Sequence, residues 1–240
     1  MEIQIFDSKE AIGIKVGSQL ATAIRLNPKM VLGLATGASP IPTYEYLSGL
    51  CQVGELSFKD VTTFNLDEYC NLPREDKNSY YSFMYRHLFN NTDINPENVH
   101  FLNGNTNDDE AECKRYDRMM IDAGLVDIQL LGIGRNGHIG FNEPADKYTK
   151  GAFKIALSES TRNANSIYFD ENPMPTHALT MGIGNIMSAK KIIMIATGEK
   201  KQQAVKSMIE GEVTPMCPAS ILQFHPSVTV YLDKAAAALL

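Results

Sequence analysis

The strongest constraint on the fold is a set of short, largely apolar runs, each of which reads as a strand covered on both faces. They are Met30 to Ala35 (MVLGLA), Val61 to Leu66 (VTTFNL), Val126 to Ile133 (VDIQLLGI), Ile192 to Ala196 (IIMIA) and Val228 to Leu232. A strand with one wet face alternates apolar and polar residues, whereas continuous apolar strands belong to sheets with helices packed on both sides. Helical spacing fills the intervals. Ile12, Val16, Leu20 and Ala23 share one helix face, behind a start at which Asp7 and Glu10 resemble a capping box. Tyr81, Met84, Tyr85 and Leu88 mark another helix between about 78 and 90, and a short helix is expected at the alanine-rich end. Strands alternating with helices argue an α/β fold built on a parallel sheet with crossover helices.

A chain of 240 residues suits one large α/β domain or two small ones, and no repeat, linker or low-complexity run divides it. The apolar fraction of 44% and charged fraction of 21% are those of a globular protein. With a net charge of −6, and with Lys190-Lys191 and Lys200-Lys201 as the only lysine doublets, no nucleic-acid partner is expected. An acidic chain that binds an anion must concentrate positive potential locally. The start, MEIQIFDSKE, lacks the basic and apolar regions of a signal peptide, and no run of 18 apolar residues predicts a membrane span. Cys51, Cys70, Cys113 and Cys217 are widely spaced without metal-site pairing, so they read as free thiols of a reducing compartment, which predicts a cytoplasmic protein.

Ligands of open parallel sheets sit beyond the carboxyl ends of the strands. Four such ends carry polar loops: Thr36-Gly37-Ala38-Ser39, Asp67-Glu68-Tyr69, Gly134-Arg135-Asn136-Gly137-His138 and Thr197-Gly198-Glu199-Lys200-Lys201. In LATGASP (34–40), Ser39 is placed to cap a helix that Pro40 begins, and Gly37 lets backbone N–H groups approach an anion such as phosphate. The competing reading is a plain strand-to-helix turn, and the G-K-[ST] of a Walker loop is missing. In FNLDEY (64–69), Asp67 stands where a base for a carbon acid would stand, although a surface acid fits the same pattern and spacing does not choose between Asp67 and Glu68.

GIGRNGHIGFNEP (132–144) carries the most information. Gly132, Gly134 and Gly137 satisfy G-x-G-x-x-G, but Gly140 and Pro144 argue against the helix that a dinucleotide site requires. What remains is His138 with Glu143 five residues on, an acid–base pair in a glycine-rich loop. His87, His100, His177 and His225 read as structural. Lys200, Lys201 and Arg162 are candidate phosphate cations, each of which alone reads as a solvated charge.

Together these residues form a pattern. LGLATGASP (32–40), FNLDEY (64–69), SYYSFM (79–84), LLGIGRNGHIGFNEP (130–144), STRNANS (160–166) and ALTMGIG (178–184) resemble the glucosamine-6-phosphate deaminase (isomerase) family nearly end to end. The resemblance implies a doubly wound, Rossmann-like α/β fold over residues 1–240, with a mostly parallel central sheet and helices on both faces. It implies isomerising deamination of an amino-sugar phosphate, without metal or organic cofactor. Carried over by residue, Asp67 matches the base that moves a proton between C2 and C1, and His138 with Glu143 matches the ring-opening group. Thr36, Gly37, Ala38 and Ser39 match the phosphate loop, and Arg162 and Lys201 its cations, with a glycine-x-x-lysine spacing selecting Lys201.

The chain departs from the family at three places. Asn136 stands where many members have Asp, and it can orient His138 or substrate but cannot take a proton. The stretch ADKYTKGAFKIA after Pro144 lacks the usual Ser/Thr- and Arg-rich lid composition. Phe153 and Ile155 stand where allosteric members carry Arg and Lys, and their longer C-terminal extension is not present. The expectation is a monomer or small homo-oligomer that N-acetylglucosamine 6-phosphate does not activate. A 6-phosphogluconolactonase-like hydrolase and a sugar-phosphate-sensing module are the rival readings.

Overall fold

The computed structural model describes residues 1–165, Phe169 and residues 173–240. Ser166, the last residue of the STRNANS run, lies outside the described residues. In chain order the strands are β1 (Glu2–Phe6), β2 (Val31–Leu34), β3 (Thr62–Asn65), β4 (Asp67–Tyr69), β5 (Val99–His100), β6 (Ile128–Gly132), β7 (Phe153–Ala156), β8 (His177–Thr180), β9 (Lys191–Ala196) and β10 (Val228–Asp233). The α-helices are α1 (Lys9–Leu26), α2 (Ile41–Gln52), α3 (Tyr80–His87), α4 (Asp109–Asp122), α5 (Glu159–Asn165), α6 (Ile183–Met187) and α7 (Gln202–Glu210).

Seven strands form a wholly parallel sheet in the order β1-β10-β9-β6-β2-β3-β5. Strand β9 shows why its sequence is continuously apolar. Ile192, Met194 and Ala196 enter the core on one face, with Tyr116, Ile186, Val205 and Met208. Ile193 and Ile195 enter the core on the other, with Val16, Leu20, Leu47 and Met84. Helices therefore cover both faces, as expected of a doubly wound sheet. No described helix is long and apolar enough to cross a membrane.

From β2 the chain moves outward to β3 and β5, then returns to place β6 on the opposite side of β2 and continues to β9 and β10. The loops after β2 and β6 therefore diverge and leave a crevice at the carboxyl ends of these two strands, where such sheets bind ligands. Strands β4, β8 and β7 form a separate antiparallel sheet that pairs Asp67 with Thr180 and Phe153 with Thr180.

Several local expectations are corrected. Ser8, and not Asp7, caps α1, because its hydroxyl accepts from the Ala11 N–H at 3.1 Å. Ser39 does not cap α2: the helix starts at Ile41, the cap position is Pro40, and among the described residues no side chain takes the free N–H groups there. The alanine-rich end forms turns instead of a helix, with the Asp233 carboxylate accepting from Ala236 N at 2.7 Å. Strand β1 escapes the apolar-run criterion because it is an edge strand, with Ile3 and Ile5 40% and 53% exposed. Strand β5 is only two residues long.

Candidate active site

The crevice is a cavity of about 830 Å³, of the size that encloses a small metabolite. All four strand-end loops meet on its wall: Thr36 to Ser39, Asp67, the Gly132–Phe141 stretch, and Thr197 to Lys201. The glycine loop of residues 36–39 turns at Gly37, whose φ of 93° lies in the left-handed region and whose missing side chain leaves open space. The uncapped start of α2 follows directly, so among the described residues its first N–H groups have no side-chain partner.

The structure separates the two acids of LDEY. Glu68 turns away and accepts from the backbone N–H groups of Tyr69, Tyr80 and Tyr81 at 2.9, 3.0 and 2.8 Å, holding the start of α3. Asp67 faces the cavity and is 6% exposed. Burial, and then the neighbouring Glu68 charge, push its carboxyl well above the usual range. Asp67 is brought to the histidine loop by the antiparallel sheet. Opposite it, the Thr180 hydroxyl accepts from Phe141 N at 3.1 Å. The Asn142 amide donates to the Ile139 and Met181 carbonyls at 2.9 and 2.8 Å. These bonds fasten the loop over β8, leaving Gly140 beside Asp67.

No helix follows β6, as Gly140 and Pro144 foretold; the chain makes tight turns up to an isolated bridge between Ile139 and Asn142. Gly134 has a steric reason: a Cβ there would meet the His138 imidazole at 2.2 to 2.4 Å. The ring lies over the glycine, and Gly134 N donates to the His138 carbonyl at 2.9 Å. Asn136 donates its amide to Glu143 Oε2 at 2.7 Å and accepts from the His138 backbone N–H at 3.3 Å. Glu143 Oε1 accepts from the Thr161 hydroxyl and lies 3.6 Å from His138 Nδ1. That last distance is beyond a normal N–H···O bond, so the contact is electrostatic. Burial pushes the Glu143 carboxyl up, but the His138 ring, the Thr161 hydroxyl and the Asn136 amide outweigh it and bring it down to about 2.

Two cations approach the far wall. Lys201 is half-buried, donates to the Ile133 carbonyl and lies near Arg135. Burial, and then the Arg135 charge, lower its pKa. Among the described residues, neither Lys201 nor Arg135 pairs with a carboxylate. Two cations without a carboxylate partner line the same cavity as the glycine loop that leads into α2, which makes a place for an anion. Lys200 is also on the wall but exposed.

The structure does not bring Arg162 to this wall. Its side chain is exposed on α5, because the preceding residue, Thr161, takes the inward position, and adjacent helix residues point about 100° apart. Arg135, Tyr80 and Thr161 line the cavity without having been singled out in the sequence. Tyr80 and Thr161 sit inside the SYYSFM and STRNANS runs, which were the available signal, while nothing but its strand-end loop marks Arg135. Asp233, which accepts from Gly198 N at 2.9 and 3.0 Å and so shapes the lysine loop, gave only the signal of an acid at a strand end. The other histidines have structural contacts. His225 is buried with Nε2 2.7 Å from the Ala189 carbonyl, His100 packs on Phe64, His87 on Phe83, and His177 Nδ1 lies 2.9 Å from the Thr176 hydroxyl.

Known proteins are similar to this chain in sequence and fold. Residues 8–231 match the family described as glucosamine-6-phosphate isomerases/6-phosphogluconolactonase. A glucosamine-6-phosphate deaminase of Clostridium botulinum is 46% identical, covering 100% of this chain and 97% of that protein. Glucosamine-6-phosphate deaminase 1 of Giardia intestinalis is 45% identical over 93% of this chain and 85% of its own length. A solved structure of a monomeric glucosamine-6-phosphate deaminase superposes with a TM-score of 0.97 at 43% identity, covering 100% of both chains. The 6-phosphogluconolactonase of Trypanosoma brucei, at 20% identity and a TM-score of 0.77 over 100% of this chain and 98% of that one, shares the fold. This chain belongs to the glucosamine-6-phosphate isomerase/6-phosphogluconolactonase family.

Proposed function

We propose that this chain catalyses the isomerising deamination of glucosamine 6-phosphate to fructose 6-phosphate and ammonia. One observation carries the choice within the family: a buried carboxylate, Asp67, shares a cavity with the His138–Glu143 pair and the anion-binding end. A lactone hydrolase has no carbon acid to ionise and no need of such a base. A sensing module needs neither the base nor the pair.

The phosphate binds at the start of α2, to the Thr36–Ser39 loop and to Lys201, with Arg135 adding positive charge. Arg162 joins them only through a movement of α5. Binding at that end supplies orientation for chemistry at the other. His138 moves protons between the O1 hydroxyl and the ring oxygen as the pyranose opens to an aldehyde. Glu143, held anionic, stabilises the imidazolium that forms. The aldehyde makes the C2 proton acidic, and Asp67 removes it to give an enolamine. Return of the proton to C1 leaves an iminium at C2. Water adds there and ammonia departs, so that one water is consumed overall and the carbon skeleton undergoes aldose–ketose isomerisation. The raised pKa of Asp67 suits the step: the more basic the carboxylate, the better it takes a proton from carbon. The substrate's ammonium, next to C2, favours the ionised form on binding.

The same reading takes the protein as a cytoplasmic enzyme of amino-sugar degradation, a monomer or small homo-oligomer, without activation by N-acetylglucosamine 6-phosphate. Phe153 and Ile155 on β7 offer no charge to such an effector. The direct test is release of ammonia from glucosamine 6-phosphate, with 6-phosphogluconolactone as the competing substrate. Hydrolysis of the lactone without ammonia release contradicts the proposal.

A further inference from the structure

Among the described residues, Glu143 Oε1 has a hydroxyl and an imidazole nitrogen close by and is hydrogen-bonded to the hydroxyl alone. The Thr161 hydroxyl donates to it, while His138 Nδ1 stands 3.6 Å away. That nitrogen is buried and, among the described residues, has no hydrogen-bond partner. A buried ring nitrogen without a partner is costly, and the carboxylate oxygen 3.6 Å from it is already taken by Thr161.

Thr161 is itself held in place. It is 5% exposed, its N–H donates to Ser158 Oγ at 3.2 Å, and its hydroxyl oxygen accepts from Ser158 Oγ at 3.0 Å. The Ser158 hydroxyl thus directs the Thr161 proton toward Glu143. On the opposite oxygen, the Asn136 amide fixes Oε2 at 2.7 Å. The carboxylate is clamped at both ends by neutral donors, one from the histidine loop and one from α5.

We propose that Thr161 is a positioning residue of the acid–base pair: its hydroxyl competes with His138 Nδ1 for Glu143 Oε1, and so sets how strongly the imidazole is paired. While Thr161 holds Oε1, His138 keeps an electrostatic contact and is free to carry its ring proton on either nitrogen. Without that hydroxyl, Oε1 accepts from Nδ1–H, which fixes one tautomer and stabilises the imidazolium. The proton is then held more tightly than ring opening requires. The other ionisable groups that face this cavity are Asp67 on β4, Tyr80 on α3, Arg135 on the histidine loop, and Glu199, Lys200 and Lys201 after β9, with Cys217 packed behind Gly137. None of these is changed by a substitution at Thr161.

The inference rests on the deaminase reading for its kinetic consequence but not for its structural one. The test is therefore an NMR titration of the His138 ring in ¹⁵N-histidine-labelled protein, beside the pH profile of ammonia release. Three proteins are compared: wild type, Thr161→Val, which keeps the shape and removes the hydroxyl, and Thr161→Ser, which keeps the hydroxyl. Thr161→Ala is read in place of the valine variant if that fails to fold. In Thr161→Val, Nδ1 becomes the protonated nitrogen of the neutral ring, the ring keeps its second proton to higher pH than in wild type, and the matching limb of the kcat/KM profile moves with it. Thr161→Ser stays with wild type. A valine variant that titrates as wild type does, or a serine variant that shifts as far as valine, overturns the proposal. Failure of the wild type to release ammonia would instead refute the deaminase reading and leave the titration result intact.

Discussion

Asn136 donates its side-chain amide to Glu143 Oε2 at 2.7 Å, and that bond is available to asparagine and not to an ionised aspartate. The residue is a tether, since it also receives the His138 backbone N–H. Replacing it as Asn136→Asp sets two carboxylates at hydrogen-bond distance, where both cannot stay ionised and the pair takes up a proton at higher pH. The acidic limb of kcat/KM for ammonia release moves upward, and activity at pH 6 falls by about ten-fold or more. A profile that superposes on wild type contradicts the tether.

Gly134→Ala tests the steric basis of the histidine's position. The added Cβ lies 2.2 Å from His138 Cε1, so the ring must move. Steady-state kinetics should show kcat lower by about a hundred-fold or more, the usual worth of a positioned acid–base group. Because the glycine lines the cavity and the added Cβ meets the His138 ring and not the backbone, thermal unfolding should change much less than a buried large-to-small substitution would cause.

Glu143 and Asp67 make opposite contributions to stability. The Glu143 carboxyl, lowered to about 2 in the fold, stabilises the protein above the ordinary glutamate pKa of 4.5, and this is lost as pH falls toward 2. Glu143→Gln should therefore cost about 1–2 kcal/mol at pH 7, discounted for its solvent contact, and nothing near pH 2. Asp67 is raised instead, so its penalty is absent at pH 3 and grows as pH climbs from 3.8 through its folded pKa. Asp67→Asn should be more stable than wild type at pH 8 and equal to it at pH 3. Urea unfolding at three pH values checks both signs.

Lys201→Ala removes the half-buried cation near Arg135. As a contact to the non-reacting phosphate, it should raise KM for glucosamine 6-phosphate by roughly ten- to a hundred-fold and lower kcat less. A fall in kcat at unchanged KM would place Lys201 in the chemistry instead. Arg162→Ala, measured beside it, reads out whether α5 turns its arginine inward when substrate binds.

The sheet was legible because its strands are covered on both faces, which leaves an unbroken apolar trace such as IIMIA in β9. The same criterion passed over β1, whose edge position leaves Ile3 and Ile5 half in solvent. It also passed over β4, where two buried acids precede Tyr69 and leave no apolar run to read. The strand-end loops located the cavity. Which acid of LDEY faces it was not legible, since that follows from Glu68 being claimed by three backbone N–H groups of Tyr69 and α3. Thr161 and Arg162 are neighbours in one run, and only the rotation of α5 shows which of them points inward.

The central claim is that Asp67 is the base that ionises C2. Ammonia release from glucosamine 6-phosphate by wild type and Asp67→Asn, with calorimetric binding of the same sugar phosphate to both, tests it most directly. The account predicts release by wild type, a loss of at least a thousand-fold in kcat for the variant, in the range of a lost general base (about 10²–10⁴), and binding retained within a few-fold. Turnover by Asp67→Asn near the wild-type rate would contradict it.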